Sequence, residues 1–312
     1  MLAAGLPAIL WAAEPSANKW NWTLPEITQI KANELRVRKE ESFFVLASEH
    51  WVVKTEISAR FTSELATFLE LFWNNFQAIM CFNAAPQVKL KPTVVVFAKI
   101  DDYKIIYDDG TRGHCKYQWD TQGNWKYFHL YSFVKNDKER DFTLFYHPIL
   151  LHEGTHILLR QYLGKSHLPI FIDEGLASFF QAWDLRSSMF GEENLKKRYA
   201  RSFYPPYLKE FADGAKEIPK IADLCEISDK NWNPDKMGPI ALRNYALAEC
   251  FIDLLVVNPQ CQPFLRRMVQ NLLKPEYSAN PLDEDSIKLL EPVWADRVRE
   301  IAKKSHALNP KI

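Results

Sequence analysis

The chain has 312 residues, 47% hydrophobic and 25% charged, which suits one large or two small globular domains with a sizeable core. Its 39 basic residues are matched by 39 acidic ones, for a net charge of zero. No electrostatic footprint for nucleic acid or an anionic membrane is visible, and no segment reads as an integral membrane span.

Residues 2–13 form an apolar run far too short to span a bilayer. It resembles the h-region of an export signal, with small residues at Ala12, Ala13 and Ala17 as cleavage positions, although the first lysine comes only at Lys19. The expectation is an exported, periplasmic or secreted chain with residues 1–17 as the signal segment; a cytoplasmic chain with a loose terminal helix is the alternative. Residues 18–41, polar with scattered aromatics, read as an arm or linker.

Residues 42–53 are rich in β-formers and predict a strand. From Phe61, apolar Leu65, Phe68, Leu69, Phe72, Phe76 and Ile79 recur at helical spacing and predict an amphipathic helix to residue 80. Residues 93–98 predict a short buried strand. Two aromatic segments flanking Asp120-Thr121-Gln122-Gly123 predict a hairpin over residues 113–134. Its second arm, residues 125–133, is by position a candidate edge strand for an extended peptide, though an ordinary core strand is the simpler reading. Helices are expected at 192–199, 239–257, 263–273 and 292–304, punctuated by Pro205-Pro206, Asn233-Pro234 and Asn258-Pro259. The resulting expectation is an α+β fold: an N-terminal unit over 42–135, site helices over 136–190 and a helical lobe over 191–312.

The chemistry lies in the middle. Residues 147–164 read HPILLHEGTHILLRQYLG, with Pro148 suited to the first helical position, Gly164 to the position after the last, and His147 to the N-cap. Apolar residues nearly all round mark a buried helix. Within it His152 and His156 stand one turn apart on one face, the spacing at which two imidazoles reach one tetrahedral Zn²⁺. Glu153 points elsewhere round the helix, poorly placed as a ligand and well placed to take a proton from water on the metal. A glutamate and two histidines in a buried helix are costly unless paired or metal-bound; core histidines bonded to carbonyls are the plainer alternative.

Eighteen positions after His156 stands Glu174, behind Asp173, which is suited to cap a helix running on through Phe180. If that helix packs back on the first, Glu174 completes a His-His-Glu set with an open fourth position, the mark of a catalytic zinc site. Five scattered cysteines, with no C-x-x-C pair, argue against a cysteine zinc site. In an exported chain a disulfide among Cys225, Cys250 and Cys261 is open. His114, His129 and His167 have no partner spacing and read as structural or surface residues.

HEGTH, a short spacer and LPIFIDEGLA resemble the gluzincin zinc metallopeptidases of the peptidase-MA type, and more closely a bacterial gluzincin-like family of unknown function. The likeness covers roughly residues 42–257 and implies a zincin-like fold. It implies one zinc ion per chain held by His152, His156 and Glu174, with Glu153 as general base. It also implies an oxyanion-binding tyrosine on a later helix, for which Tyr245 is the best match, while a ring in the core with its hydroxyl at the surface is an equal reading. The chain departs from the gluzincin aminopeptidases in a spacer one residue shorter and in lacking a G-x-M-E-N stretch, so nothing supports an aminopeptidase in particular. The expected function is zinc-dependent hydrolysis of a peptide or protein substrate. The alternatives are a zinc-binding pseudoenzyme and an envelope interaction protein without peptidase activity.

Overall fold

Ser48, Glu49 and His50 interrupt the first β-rich stretch, so the single strand expected over 42–53 is a pair, β2 (Phe43–Ala47) and β3 (Val52–Thr55), joined by a turn. Glu70 holds that turn in place: its carboxylate accepts hydrogen bonds from the Ser48 hydroxyl at 2.5 Å and the His50 backbone N–H at 2.8 Å. The computed structural model describes residues 37–107, 110–145, 147–183, 202, 205–212, 214, 216–274 and 281–308. The expected signal segment, most of the arm and the helix at 192–199 lie outside the described residues.

With β1 (Arg38–Glu40), which begins inside the expected arm, β4 (Thr93–Phe97), β5 (Gly113–Trp119) and β6 (Trp125–Phe133), these strands form a six-stranded sheet in the order β1-β2-β3-β4-β6-β5. The sheet is mixed: β3 with β4 and β4 with β6 are parallel, the other pairs antiparallel. A parallel step needs a crossover. Helix α1 (Ala59–Ile79) provides the one from β3 to β4, capped by the Ser58 hydroxyl accepting from the Phe61 N–H at 3.1 Å. β4 is covered on both faces, as parallel strands usually are: Val94 and Val96 join the main core, while Val95 and Phe97 pack in a smaller cluster with Phe133 and with Tyr103 of α2 (Ile100–Lys104).

The hairpin forms as expected, but its second arm is no edge. β6 is hydrogen-bonded on one side to β4 and on the other to β5, so its backbone is spent in the ladder and β5 is the edge strand. The core-strand reading of residues 125–133 is the one that holds.

After the hairpin the described chain is helical: α3 (Pro148–Leu163), α4 (Ile170–Gln181), the short α5 (Lys209–Ala212), α6 (Ile221–Cys225) and α7 (Asp229–Trp232), then α8 (Pro239–Val257), α9 (Gln262–Leu273) and α10 (Glu284–Leu308). α10 starts eight residues before Pro292, not at it. Asp283 begins the helix instead, its carboxylate accepting from the Ser286 N–H at 2.7 Å, while Leu290, Trp294, Val298 and Ile301 anchor one face in the core. A proline nine residues in removes one hydrogen bond, which this buried stripe outweighs.

The architecture is therefore mixed α/β, with a six-stranded mixed sheet and ten α-helices among the described residues. One continuous core runs from Leu46 to Ala302. No described helix is long and apolar enough to cross a membrane. All five cysteines are free thiols, so the disulfide left open for Cys225, Cys250 and Cys261 does not form.

Candidate metal centre

α3 obeys its local signals. Pro148 occupies the first turn, and Gly164 closes the helix in the left-handed conformation at φ 64°, its N–H returning to the Arg160 carbonyl at 2.8 Å. His147 is the N-cap by position, yet makes no side-chain cap bond; its ring packs edge-on against Phe68 and Phe142. Burial nearly all round follows from the helix's place between α1, α4 and the β5–β6 hairpin.

Two glycines inside helices, each costing about 1 kcal/mol against alanine, mark close approaches. A Cβ on Gly154 would meet the Phe72 ring of α1 at 2.7 Å, and one on Gly175 would meet the Ala248 carbonyl of α8 at 2.8 Å. The second neighbour is backbone and cannot swing aside. Gly175→Ala is therefore expected to lower unfolding free energy by about 1–3 kcal/mol, as overpacking typically does. A denaturant midpoint unchanged from wild type would show that α4 and α8 are not packed this closely.

α4 begins a turn earlier than its sequence suggests. Pro169 is the N-cap residue, and its carbonyl accepts from the Ile172 and Asp173 N–H groups at 3.0 Å each. Asp173 is thus not the cap, and Glu174 lies in the second turn, facing α3. There the expected set comes together. His152, His156 and Glu174 each offer a ligand atom, all within 4.8 Å of one another. Glu174 Oε2 lies 3.4 Å from His152 Nε2 and 3.7 Å from His156 Nε2. A tetrahedral zinc with ligands at about 2.0–2.2 Å separates them by roughly 3.3–3.6 Å, so the set fits that ion with small adjustment. Glu174 Oε2 is also buried with no hydrogen-bond partner, an unfavourable state for a carboxylate oxygen that a cation would relieve.

Glu153 stands outside this set. Its Oε2 accepts the backbone N–H of Cys115 at 2.9 Å, which ties the carboxylate to edge strand β5. The Cys115 thiol is pushed well above its usual pKa by burial and by the adjacent Glu153, and so is held neutral.

Behind His156, on the side of its ring away from Glu174, lies a network that the sequence did not disclose. His156 Nδ1 is 2.8 Å from Asp173 Oδ1, and Arg160 grips both oxygens of that carboxylate, each at 2.6 Å. The guanidinium also lies over the Tyr117 ring of β5, 4.9 Å from its centre. Burial alone would lower the His156 pKa, but the Asp173 and Glu174 charges raise it to about 9. Asp173 is held far below the usual carboxylate range: burial opposes this, and Arg160 and His156 outweigh it. The available signal is Arg160 one turn beyond His156, together with a second acid beside Glu174; an aspartate in that place also has the chemistry of a helix cap, which hides its role.

Tyr245 projects from α8, the helix against which α4 packs, with its ring edge-on to Trp232 at 5.3 Å. Burial raises its pKa, and the Glu174 and Glu153 charges raise it further. Its neighbours are committed elsewhere: Asn244 donates to the Trp232 carbonyl at 2.9 Å and Arg243 pairs with Glu210 at 3.4 Å. His129 pairs with the Tyr131 hydroxyl at 2.8 Å and His114 lies against Tyr107, both apart from the site. No protein-family model matches this chain, and a search of curated proteins finds no match to it.

Proposed function

We propose that the protein is a zinc-dependent peptide hydrolase with a zincin-like fold. The observation that carries this reading is the meeting of His152, His156 and Glu174 ligand atoms beside a glutamate, Glu153, that belongs to the same helix but not to the ligand set. A zinc ion held by those three would polarise a scissile carbonyl and lower the pKa of water bound to it.

The remaining work falls to the chain's own groups. Glu153 takes the proton of the attacking water and passes it to the leaving amine. Tyr245 donates a hydrogen bond to the developing oxyanion. β5 is the sheet edge nearest this centre, and an extended peptide added along it by backbone hydrogen bonds would lie beside Glu153.

Digestion of a diverse peptide library by the purified protein tests the reading. Cleavage should disappear on treatment with a chelator and return with Zn²⁺. Zinc-loaded protein that leaves every peptide intact would identify the alternative, a zinc-binding pseudoenzyme whose cleft serves as an interaction surface.

A further inference from the structure

The two histidines of the centre are not supported alike. The Nδ1 of His152 is buried and has no hydrogen-bond partner. The Nδ1 of His156 meets Asp173 at 2.8 Å, and Asp173 is in turn held in the plane of a two-pronged Arg160 contact, 2.6 Å to each oxygen. Arg160 is itself buried and held by two further contacts. It donates to the His156 carbonyl at 3.2 Å, lies over Tyr117 of β5, and is only 5% exposed.

We infer that Arg160 is a positioning residue for the metal centre, acting through Asp173 to fix the orientation of His156. This rests on the zinc reading above and extends it to a residue that touches neither metal nor substrate. The reasoning is geometric. A histidine ring turns about two side-chain bonds, and a ligand nitrogen is useful only when its lone pair points at the ion. A hydrogen bond from the opposite nitrogen removes that freedom, provided the acceptor cannot itself turn. An aspartate held by a single contact could swing; one held by the planar guanidinium fork cannot, since both oxygens are engaged at once. Because Asp173 and Glu174 are adjacent on α4 while His156 and Arg160 are one turn apart on α3, the same contact fixes the register of the two helices that carry the ligands. With His152 lacking such a partner, the orientation of the centre depends on the His156 side.

Loss of a supporting contact of this kind typically lowers metal affinity by about 10- to 100-fold. The test is Zn²⁺ affinity of the full chain, measured by competition with a chromophoric chelator, with thermal melting of each metal-free variant as the folding control. Arg160→Met alone would strand a buried carboxylate and could unfold the chain. The informative variant is therefore Arg160→Met combined with Asp173→Asn, which removes both charges and leaves an amide oxygen able to accept from His156. It is expected to melt near the wild type and to bind Zn²⁺ about 10- to 100-fold more weakly. Arg160→Lys, which keeps the charge but not the fork, should fall between the two, and it carries the test if the double variant does not fold. A folded double variant, or failing that Arg160→Lys, with wild-type Zn²⁺ affinity overturns the inference and leaves the zinc reading standing. A wild-type protein that binds no Zn²⁺ removes the zinc reading itself, and the inference with it.

Discussion

Glu153→Gln is expected to leave zinc content unchanged and to lower hydrolysis by about 100- to 10,000-fold, the range typical of a lost general base. The substitution is nearly isosteric. A glutamine oxygen can still accept the Cys115 N–H that Glu153 accepts at 2.9 Å, so the link between α3 and β5 survives. What disappears is the capacity to take a proton, because an amide oxygen is far less basic than a carboxylate. The loss corresponds to about 3–5 kcal/mol of barrier, at 1.36 kcal/mol per tenfold. Inductively coupled plasma mass spectrometry and initial rates on a cleaved library peptide give the two readouts. A variant that loses its metal would make Glu153 a ligand, and one that keeps wild-type rates would remove it from the chemistry.

Tyr245→Phe should lower kcat by roughly a hundredfold with little change in KM, the pattern for a donor that acts on the transition state more than on bound substrate. Its phenol is half-buried, and burial first, then the Glu174 and Glu153 charges, raise its pKa. Deleting the hydroxyl keeps the ring and its edge-on contact with Trp232 at 5.3 Å, so folding and zinc content should hold. A rise in KM at constant kcat would instead assign Tyr245 to ground-state binding. Unchanged kinetics would make it a packing residue of α8.

The local signals and the long-range ones fared differently. The limits of α3 could be read because Pro148 and Gly164 act on their own backbone, whatever the rest of the fold does. The pairing of His152 with His156 was legible because histidines at i and i+4 share a helix face before any tertiary structure exists. The beginning of α4 differs from its sequence expectation because Asp173 has the chemistry of a cap, while its actual partners, His156 and Arg160, lie on another helix. Pro292 does not start its helix for the opposite reason: a local breaker yields when Leu290, Trp294 and Val298 around it are held in the core. Which arm of the hairpin is the edge is a matter of strand order. β6 pairs with β4, and that pairing joins segments separated by α2 and β5 and leaves no trace in the alternation of β6 itself.

The most direct test of the account is the zinc content of the purified wild-type chain beside Glu174→Ala. Glu174 supplies the one ligand that comes from α4, so the comparison asks whether the two helices share an ion. About one Zn²⁺ per wild-type chain is expected, with a sharp loss of occupancy in the variant, since three protein ligands are the usual minimum for such a site. Full occupancy in Glu174→Ala, or a wild-type chain that takes up no zinc, would contradict it.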